Sequence, residues 1–248
     1  MKAKIFAAGI GSRLKPITDS LPKALVEIAG KTLLERVVER LKNAGCEHIV
    51  VNVHHFGGLI IDFLKAHNNF GIDIRVSDER ACLLDTGGGV RKAIPLLEGG
   101  EPVLIHNVDI LSNVDLAKLY DDHVRSGADV SLLVSERETQ RYLLFNAAEN
   151  NRLVGWTNIA TGEVKSPYKN LSPDKYHRLA FSGIHVISPR VFDLMCGYPE
   201  KFPIMDFYLK EADKLNIVGR ESADLQMVDV GKLYAIGQAE NFVRSHPE

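Results

Sequence analysis

The feature that most constrains the fold lies near the N-terminus, where a short apolar run is followed by a basic loop that contains glycine. Residues 5–8 (IFAA) form an apolar run of the kind found in buried strands. The loop contains Gly9 and Gly11, and glycine lets backbone N–H groups turn inward and approach a ligand closely. Arg13 and Lys23 add fixed positive charge to the same loop. Together these features predict a phosphate-binding site.

Two common phosphate-binding loops do not fit this stretch. The dinucleotide fingerprint requires a third Gly or Ala and an immediate helix, whereas this chain has Leu14 there and Pro16 soon after. Residues 30–32 (GKT) match the end of a Walker A motif, but the Gly required five positions earlier is Leu25. A surface loop that carries Gly and Lys by chance remains an alternative, although long loops in compact domains are usually functional.

The N-terminal loop resembles the opening motif of the sugar-1-phosphate nucleotidyltransferases, A-A/G-G-x-G-[ST]-R-L-x-P-x-T followed by P-K-x-L. Residues 7–18 are AAGIGSRLKPIT and residues 22–25 are PKAL. These enzymes join a nucleoside triphosphate to a sugar 1-phosphate and release pyrophosphate. The resemblance implies the following nucleotide-binding residues in the loop: Ala7, Ala8, Gly9, Gly11, Ser12, Arg13 and Lys23.

The resemblance also implies catalytic roles for two cations of this loop. Arg13 would stabilise the departing pyrophosphate, and Lys23 would stabilise the α-phosphate or the incoming phosphate. A phosphate monoester has its second pKa at about 6, so the nucleophile is largely ionised at neutral pH and needs no general base. This agrees with the lack of a convincing Ser-His-Asp or Cys-His set in the sequence.

Apolar patterning along the chain alternates between strand and helix periods, which is typical of a parallel sheet covered by helices. The capping-box residues Thr32 and Glu35 precede the first helix. Strands are predicted at residues 48–53, 71–76, 103–109, 129–134, 141–145, 152–156, 179–186, 216–219 and 225–231. Helices are predicted at residues 33–44, 59–66, 90–97, 115–125, 189–195, 203–215 and 233–243.

The expected fold class is α/β. The resemblance implies a Rossmann-like, mostly parallel sheet of the GT-A nucleotidyltransferase type, with helices on both faces and a small antiparallel elaboration that binds the sugar. We expect one domain over residues 1–248, with a nucleotide-binding half (1–134) and a sugar-binding half (135–248).

Two aspartates at predicted strand ends are candidate Mg²⁺ ligands. Ligands bind at strand C-termini in open α/β sheets, and Mg²⁺ prefers oxygen donors. Asp109 and Asp229 hold these positions, and each could instead cap a helix. The family motifs are G-D and W-x-D-[VI]-G-T. The present chain differs at Val108, Met227 and Lys232.

Residues 87–89 are three successive glycines placed before a predicted helix, which predicts a second surface of close approach. The resemblance implies that Gly87 and Gly88 lie against the base of the nucleotide. The D/E-T-G-G-G form is most similar to the N-acetylmuramate 1-phosphate uridylyltransferase-like branch, which favours UTP. A GTP-dependent mannose or heptose 1-phosphate guanylyltransferase is the alternative.

The sugar site is less clear from the sequence. Most of the family carries E-K-P after the second antiparallel strand, and the best register here places Asn158 at the Glu without the Lys or Pro. Ser182 and Gly183 lie on the returning strand, and a Gly inside a strand favours close approach of another group. The resemblance implies that these three residues bind the sugar.

Charge and cysteine content limit the other functions. The formal net charge is −2, which argues against nucleic acid or a membrane surface as the main partner. Residues 1–31 carry six basic residues against two acidic ones, which suits a polyanionic small molecule. The three cysteines are few and far apart, and the apolar run after Lys4 ends at Gly9, so we expect reduced thiols, no signal peptide and a cytoplasmic protein.

Two other kinds of function are compatible with a related fold. A non-catalytic regulatory subunit would not need both aspartates and the complete glycine loop. A glycosyltransferase that uses a finished nucleotide-sugar typically carries D-x-D at its metal, but the residues two before and two after Asp109 are Asn107 and Leu111.

Overall fold

The computed structural model describes residues 1–97 and 99–246. Its strands are β1 (Lys2–Phe6), β2 (Glu27–Ile28), β3 (Lys31–Thr32), β4 (His48–Val53), β5 (Asp73–Asp78), β6 (Val103–Asn107), β7 (Ile110–Ser112), β8 (Val130–Ser135), β9 (Arg141–Asn146), β10 (Arg152–Asn158), β11 (Glu163–Lys165), β12 (His177–Ile187), β13 (Ile217–Glu221) and β14 (Met227–Asp229). Its α-helices are α1 (Leu33–Asn43), α2 (Gly57–Ala66), α3 (Asp85–Ala93), α4 (Leu116–Ser126), α5 (Pro189–Cys196), α6 (Ile204–Glu211) and α7 (Ala235–Ser245).

The first half of the chain builds a parallel sheet in the order β5-β4-β1-β6. Every residue of β4 is buried, as expected for a strand covered by helices on both faces. The predicted cap of α1 is confirmed, since the Glu35 N–H donates to Thr32 Oγ1 at 3.1 Å. The parallel arrangement brings the carboxyl ends of these strands to one edge of the sheet.

Strand β12 joins the two halves of the sheet. It lies between β6 and β8 and runs antiparallel to both. Beyond β8 the sheet continues through β13, β10 and β11, while β9 pairs with both β10 and β12. The predicted α/β class is therefore confirmed, with the parallel strands concentrated in the first half and the antiparallel ones in the second.

Two apolar clusters lie on opposite faces of the sheet. Alternate residues of β1 point to opposite faces, so Ala3 and Ile5 enter the cluster beneath α1, while Phe6 packs against the cluster that contains Val90 of α3. None of the helices within the described ranges has the length and apolar character needed to span a bilayer.

Three local predictions were wrong in detail. The three glycines do not precede the helix predicted at 90–97, because α3 begins at Asp85 and contains them. Strand β6 ends at Asn107, so Asp109 lies in the turn after it. The strand predicted at 225–231 is the three-residue β14, which pairs with β7 outside the main sheet.

Candidate active site

The phosphate-binding loop is held in place where it leaves β1. The Ala7 N–H donates to Asn52 Oδ1 at 2.8 Å, which ties the start of the loop to the end of β4. Gly11 has φ of 70°, a left-handed conformation that L side chains rarely adopt. Its carbonyl accepts from Leu14 N and from Thr18 Oγ1, each at 2.8 Å. The glycine therefore allows the sharp turn that directs the loop around a ligand.

This loop forms one wall of a cavity of about 440 Å³. All seven loop residues that the sequence nominated line it. The complete wall consists of residues 6–13, Lys23, Asn52, Glu79, Leu83, Asp85, Thr86, Asn107, Val108, Asp109, Pro203 and Gly231. The cavity thus has the predicted cations, a glycine turn and a carboxylate on the same wall, and we call it the nucleotide cavity.

The two candidate metal ligands come from distant parts of the chain and meet through backbone pairing. Asp229 of β14 is the register partner of Ile110 in β7, and the Val230 N–H donates to the Asp109 carbonyl at 2.8 Å. The pKa of the Asp229 carboxyl is raised for two reasons. The larger is desolvation, because neighbouring groups displace part of its water even though the residue remains exposed. The smaller is repulsion from the nearby Asp109 carboxylate.

Both predicted catalytic cations lie beside this pair of carboxylates. Lys23 Nζ forms an ion pair with Asp109 Oδ2. A Cβ placed on Gly231 would lie 3.1 Å from Arg13 Nη2 and 2.7 Å from Asp229 Oδ1, so Arg13 and Asp229 flank this glycine. Arg13, Lys23 and Asp109 line the nucleotide cavity, and Asp229 lies beside Gly231 at its edge, so the four side chains meet there. A side chain at residue 231 would collide with two of them.

The donor set suits a divalent cation such as Mg²⁺. Two carboxylates lie close together, and the pKa of Asp229 is raised first by desolvation and second by the negative charge of Asp109. Mg²⁺ is commonly held by one or two carboxylates together with substrate phosphates, so a pair of aspartates beside a phosphate loop is an adequate protein contribution. Cationic Lys23 and Arg13 offset part of the same repulsion.

Gly87 and Gly88 do not line the nucleotide cavity. A Cβ on Gly87 would lie 2.2 Å from the Phe202 ring, and one on Gly88 would lie 2.1 Å from the Glu200 carbonyl oxygen. Both backbone N–H groups donate to the Phe202 carbonyl. These glycines allow the 200–202 segment to pack against α3, and the neighbouring Thr86 contributes to the cavity wall instead.

A second cavity of about 610 Å³ opens beside the first and shares Phe6, Thr86 and Asn107 with it. We call it the sugar cavity. Its remaining wall consists of Arg137, Thr139, Arg141, Leu143, Trp156, Asn158, Glu163, Lys165, Phe181, His185, Ile204, Met205, Asp206 and Leu209. The shared residues make the two cavities a single bent cleft.

Of the three predicted sugar-binding residues, only Asn158 lines the sugar cavity. The Ser182 hydroxyl is buried and has no hydrogen-bond partner among the described residues. Gly183 has φ of 75°, and a Cβ there would lie 2.9 Å from Asn107 Nδ2. Gly183 therefore lets β12 pass beneath Asn107 at the junction of the two cavities.

A buried polar network that the sequence did not reveal lies behind the nucleotide cavity. Glu79 is fully buried, and its Oε1 accepts from Asn52 Nδ2 at 2.7 Å. Fully buried Lys4 lies on the same side, with Nζ 4.7 Å from the centre of the Phe6 ring. Glu79 thus positions Asn52, which in turn holds Ala7 at the start of the loop. Lys4, directly before the apolar run of residues 5–8, was the only sequence signal of this network.

Arg137 was also missed. It follows β8, lines the sugar cavity and donates from Nη2 to the Phe181 carbonyl at 3.0 Å. The pKa of Asp229 is raised by desolvation and by Asp109, and the positive charge of Arg137 opposes part of that rise. Arg137 therefore lies within electrostatic reach of the paired carboxylates. No motif marks it, because the polar segment around it looks like an ordinary loop.

Comparisons with known proteins agree on one family and one fold. A family model described as nucleotidyl transferase matches residues 2–153. The N-acetylmuramate alpha-1-phosphate uridylyltransferase of Caulobacter vibrioides is 33% identical over 195 residues, which cover 76% of each chain. The enzyme of the same name from Neisseria meningitidis serogroup B is 35% identical over 193 residues, 78% of each chain. The solved UDP-glucose pyrophosphorylase of Acinetobacter baumanii has a TM-score of 0.78 and 18% identity, covering 100% of this chain and 95% of that one.

Proposed function

The chain belongs to the nucleotidyl transferase family of sugar-1-phosphate enzymes, and we propose that it joins UTP to a sugar 1-phosphate, releasing pyrophosphate, with Mg²⁺ as its metal. The observation that carries the proposal is the meeting of Arg13, Lys23, Asp109 and Asp229 in one cleft. These residues are separated by up to 216 positions in the sequence, and each bears a charge that phosphate transfer requires.

The reaction under this proposal is attack by the sugar-phosphate oxygen on the α-phosphorus of the nucleotide. The main demand on the protein is to hold two polyanions in line and to offset the charge that develops. The backbone of residues 9–12 would orient the triphosphate, and Arg13 would stabilise the departing pyrophosphate. Lys23 would move from Asp109 toward the α-phosphate or the incoming phosphate. Arg137 is positioned to bind the phosphate of the sugar.

The metal assignment rests on Asp109 and Asp229. These two residues would hold Mg²⁺, which when bound would reduce the negative charge of the phosphates. The paired carboxylates attract such a cation because their mutual repulsion is relieved when it binds. Asp109 would then exchange its ion pair with Lys23 for the cation, and Lys23 would be available to a phosphate.

UTP is the proposed nucleotide, and N-acetylmuramate 1-phosphate is the first sugar phosphate to test. Two of the most similar relatives are uridylyltransferases that carry this sugar phosphate in their names. The D-T-G-G-G motif favours the same branch. A cytoplasmic location belongs to the proposal, since the free thiols of Cys82 and Cys196 are exposed and suit a reducing compartment.

The test is pyrophosphate release with UTP, GTP, dTTP and CTP, each with Mg²⁺ and a panel of sugar 1-phosphates. We expect the highest kcat/KM with UTP. Faster release with GTP and mannose or heptose 1-phosphate would replace the proposal by a guanylyltransferase. Silence across the whole panel would favour a non-catalytic subunit. EDTA should abolish release, and added Mg²⁺ should restore it.

A further inference from the structure

The wall of the sugar cavity carries more positive than negative side chains. The cations are Arg137, Arg141 and Lys165, and the carboxylates are Glu163 and Asp206. A sugar phosphate bound as proposed would place its phosphate charge close to Asp109, Asp229 and Arg137. The cations deeper along the wall are therefore not required by the phosphate alone.

Two of the three cations are already engaged by the protein. Lys165 Nζ lies 3.5 Å from Asp206 Oδ1, 4.0 Å from Glu163 Oε1 and 5.4 Å from the centre of the Trp156 ring. Arg137 donates to a backbone carbonyl and lies within electrostatic reach of Asp229. By contrast, the Arg141 guanidinium has neither an ion pair nor a hydrogen bond within the described part of the chain.

The strand register places Arg141 within a face that can hold a sugar. Arg141 of β9 is directly opposite Asn158 of β10, and the next pair on that face is Leu143 with Trp156. The apolar pair Trp156 and Leu143 thus covers one part of the wall. The amide of Asn158 and the guanidinium of Arg141 cover the next part. Sugars combine apolar C–H faces with polar substituents, so this surface fits a sugar ring with an anionic substituent beside Arg141.

The back of the cavity also has unused hydrogen-bonding capacity. His185 is 1% exposed, lies in the cavity wall, and has no hydrogen-bond partner at either ring nitrogen among the residues described. A buried polar group without a partner is costly, and a bound ligand or water would satisfy it. The cavity therefore suits a polar ligand. Because Arg141 is positively charged, that ligand is expected to carry a negative charge beside it.

We infer that Arg141 determines specificity for the sugar by binding a carboxylate carried on the sugar itself, in addition to the 1-phosphate. This inference rests on the proposed function. A guanidinium presents two parallel N–H donors that match a carboxylate, and such charge-assisted pairs are the stronger class of hydrogen bond. A neutral sugar 1-phosphate would leave Arg141 without its partner.

The test uses two sugar phosphates that differ by this one group. N-acetylmuramate 1-phosphate is N-acetylglucosamine 1-phosphate with a lactyl ether, which carries a carboxylate. We expect the wild-type protein, with UTP and Mg²⁺, to prefer the acidic sugar in kcat/KM. In Arg141→Gln this preference should fall by about tenfold or more, chiefly through a higher KM for the acidic sugar. Arg141→Lys should restore part of it.

Arg178→Gln is the matched control. Arg178 also lies on a strand of this sheet, but it pairs with Leu144, which faces away from the side occupied by Leu143. It is absent from the sugar-cavity wall. The ratio of the two kcat/KM values should be the same in this variant as in the wild type, although the protein has also lost one positive charge.

The possible outcomes separate this inference from the proposed function. Pyrophosphate release with the neutral sugar but not the acidic one would leave the proposed function standing and overturn the role of Arg141. An equal loss for both sugars in Arg141→Gln would also overturn it, because the residue would then have a structural role. Release with neither sugar, nor with any other in the panel, would overturn both.

Discussion

The nucleotide cavity and the sugar cavity are built in different ways from the same sheet. The nucleotide cavity takes eight consecutive wall residues, 6–13, from the end of β1 and the loop that follows it. The wall of the sugar cavity consists of side chains from the segment between β8 and β9 and from β9, β10, β11, β12 and α6, between residues 137 and 209, together with three shared residues. A contiguous loop that binds a ligand through its backbone must keep one conformation, and few sequences allow that conformation. A wall made of separate side chains can change its ligand preference by substitution of one residue at a time. Under the proposed function, the first cavity therefore serves the reaction that the family shares, and the second selects the sugar.

The largest expected effect is on the nucleotide side. Lys23→Ala should lower kcat by a hundredfold or more for every sugar phosphate, because the lost positive charge acts on phosphates that all the substrates share (order of magnitude from). Pyrophosphate release measures the loss, and circular dichroism with thermal unfolding checks the fold. Lys15→Ala is the control, since exposed Lys15 is in the same loop and pairs only with Asp19 among the described residues. A loss that varied strongly with the sugar would contradict the division between the two cavities.

The next effect separates two kinds of glycine. Gly88→Ala should lower the free energy of unfolding by about 1–3 kcal/mol, because the added Cβ would lie 2.1 Å from the Glu200 carbonyl oxygen. Gly9→Ala should leave stability almost unchanged, since a Cβ there meets no atom within 4 Å, although it would project into ligand space. Urea unfolding of both variants makes the comparison. Equal stability of the two would show that α3 and the 200–202 segment are not packed as described.

The third effect concerns the buried network behind the nucleotide cavity. Burial lowers the pKa of Lys4 from 10.5 to about 7, partly offset by the charge of Glu79. Between these two pH values the unfolded chain carries a proton on Lys4 that the folded chain lacks, so the stability of the wild type should rise with pH. The slope for one proton is about 1.4 kcal/mol per pH unit. Lys4→Met should remove this rise, as measured by urea unfolding from pH 7 to 10.

A residue of the sugar cavity supplies the control for this pH dependence. Burial lowers the pKa of His185 from 6.5 to about 3. Below pH 6.5 the unfolded chain therefore binds a proton at His185 that the folded chain does not, and the free energy of unfolding falls as the pH falls. His185→Phe should therefore leave the alkaline slope intact. If the two variants showed the same slope above pH 7, Lys4 would not be the group responsible.

The smallest expected effect is on the sugar side. Asn158→Ala should raise the KM for the sugar phosphate by less than about tenfold, with little change in kcat, because one neutral hydrogen bond contributes about 0.5–1.5 kcal/mol. Steady-state kinetics at saturating UTP would measure it. Asn146→Ala, a change of the same kind on β9 outside the cavity, is the control. A fall in kcat comparable to that of Lys23→Ala would place Asn158 in the chemistry rather than in sugar selection.

The sequence could nominate residues 7–13 together, since they form a local motif whose geometry depends on neighbouring residues, and all of them line the nucleotide cavity. The strand ends at Asp109 and Asp229 could be nominated separately, but their meeting depends on the pairing of β7 with β14, which no local pattern specifies. The three glycines of α3 were assigned to a ligand because sequence cannot distinguish an approaching ligand from an approaching backbone. Arg137 and Arg141 carried no signal, because exposed arginines in polar segments usually face solvent.

By itself, the sequence determined the α/β alternation, the cap of α1 and the glycine loop, because each follows from interactions between residues a few positions apart. Only the tertiary structure decided where the charges lie: Lys23 with Asp109, Arg13 beside Asp229, and Arg141 opposite Asn158. Electrostatic interactions depend on distance in space and on burial, and both are set when strands from distant parts of the chain pair. The loop therefore indicates the chemistry of this protein, and the folded sheet sets the substrate on which that chemistry acts.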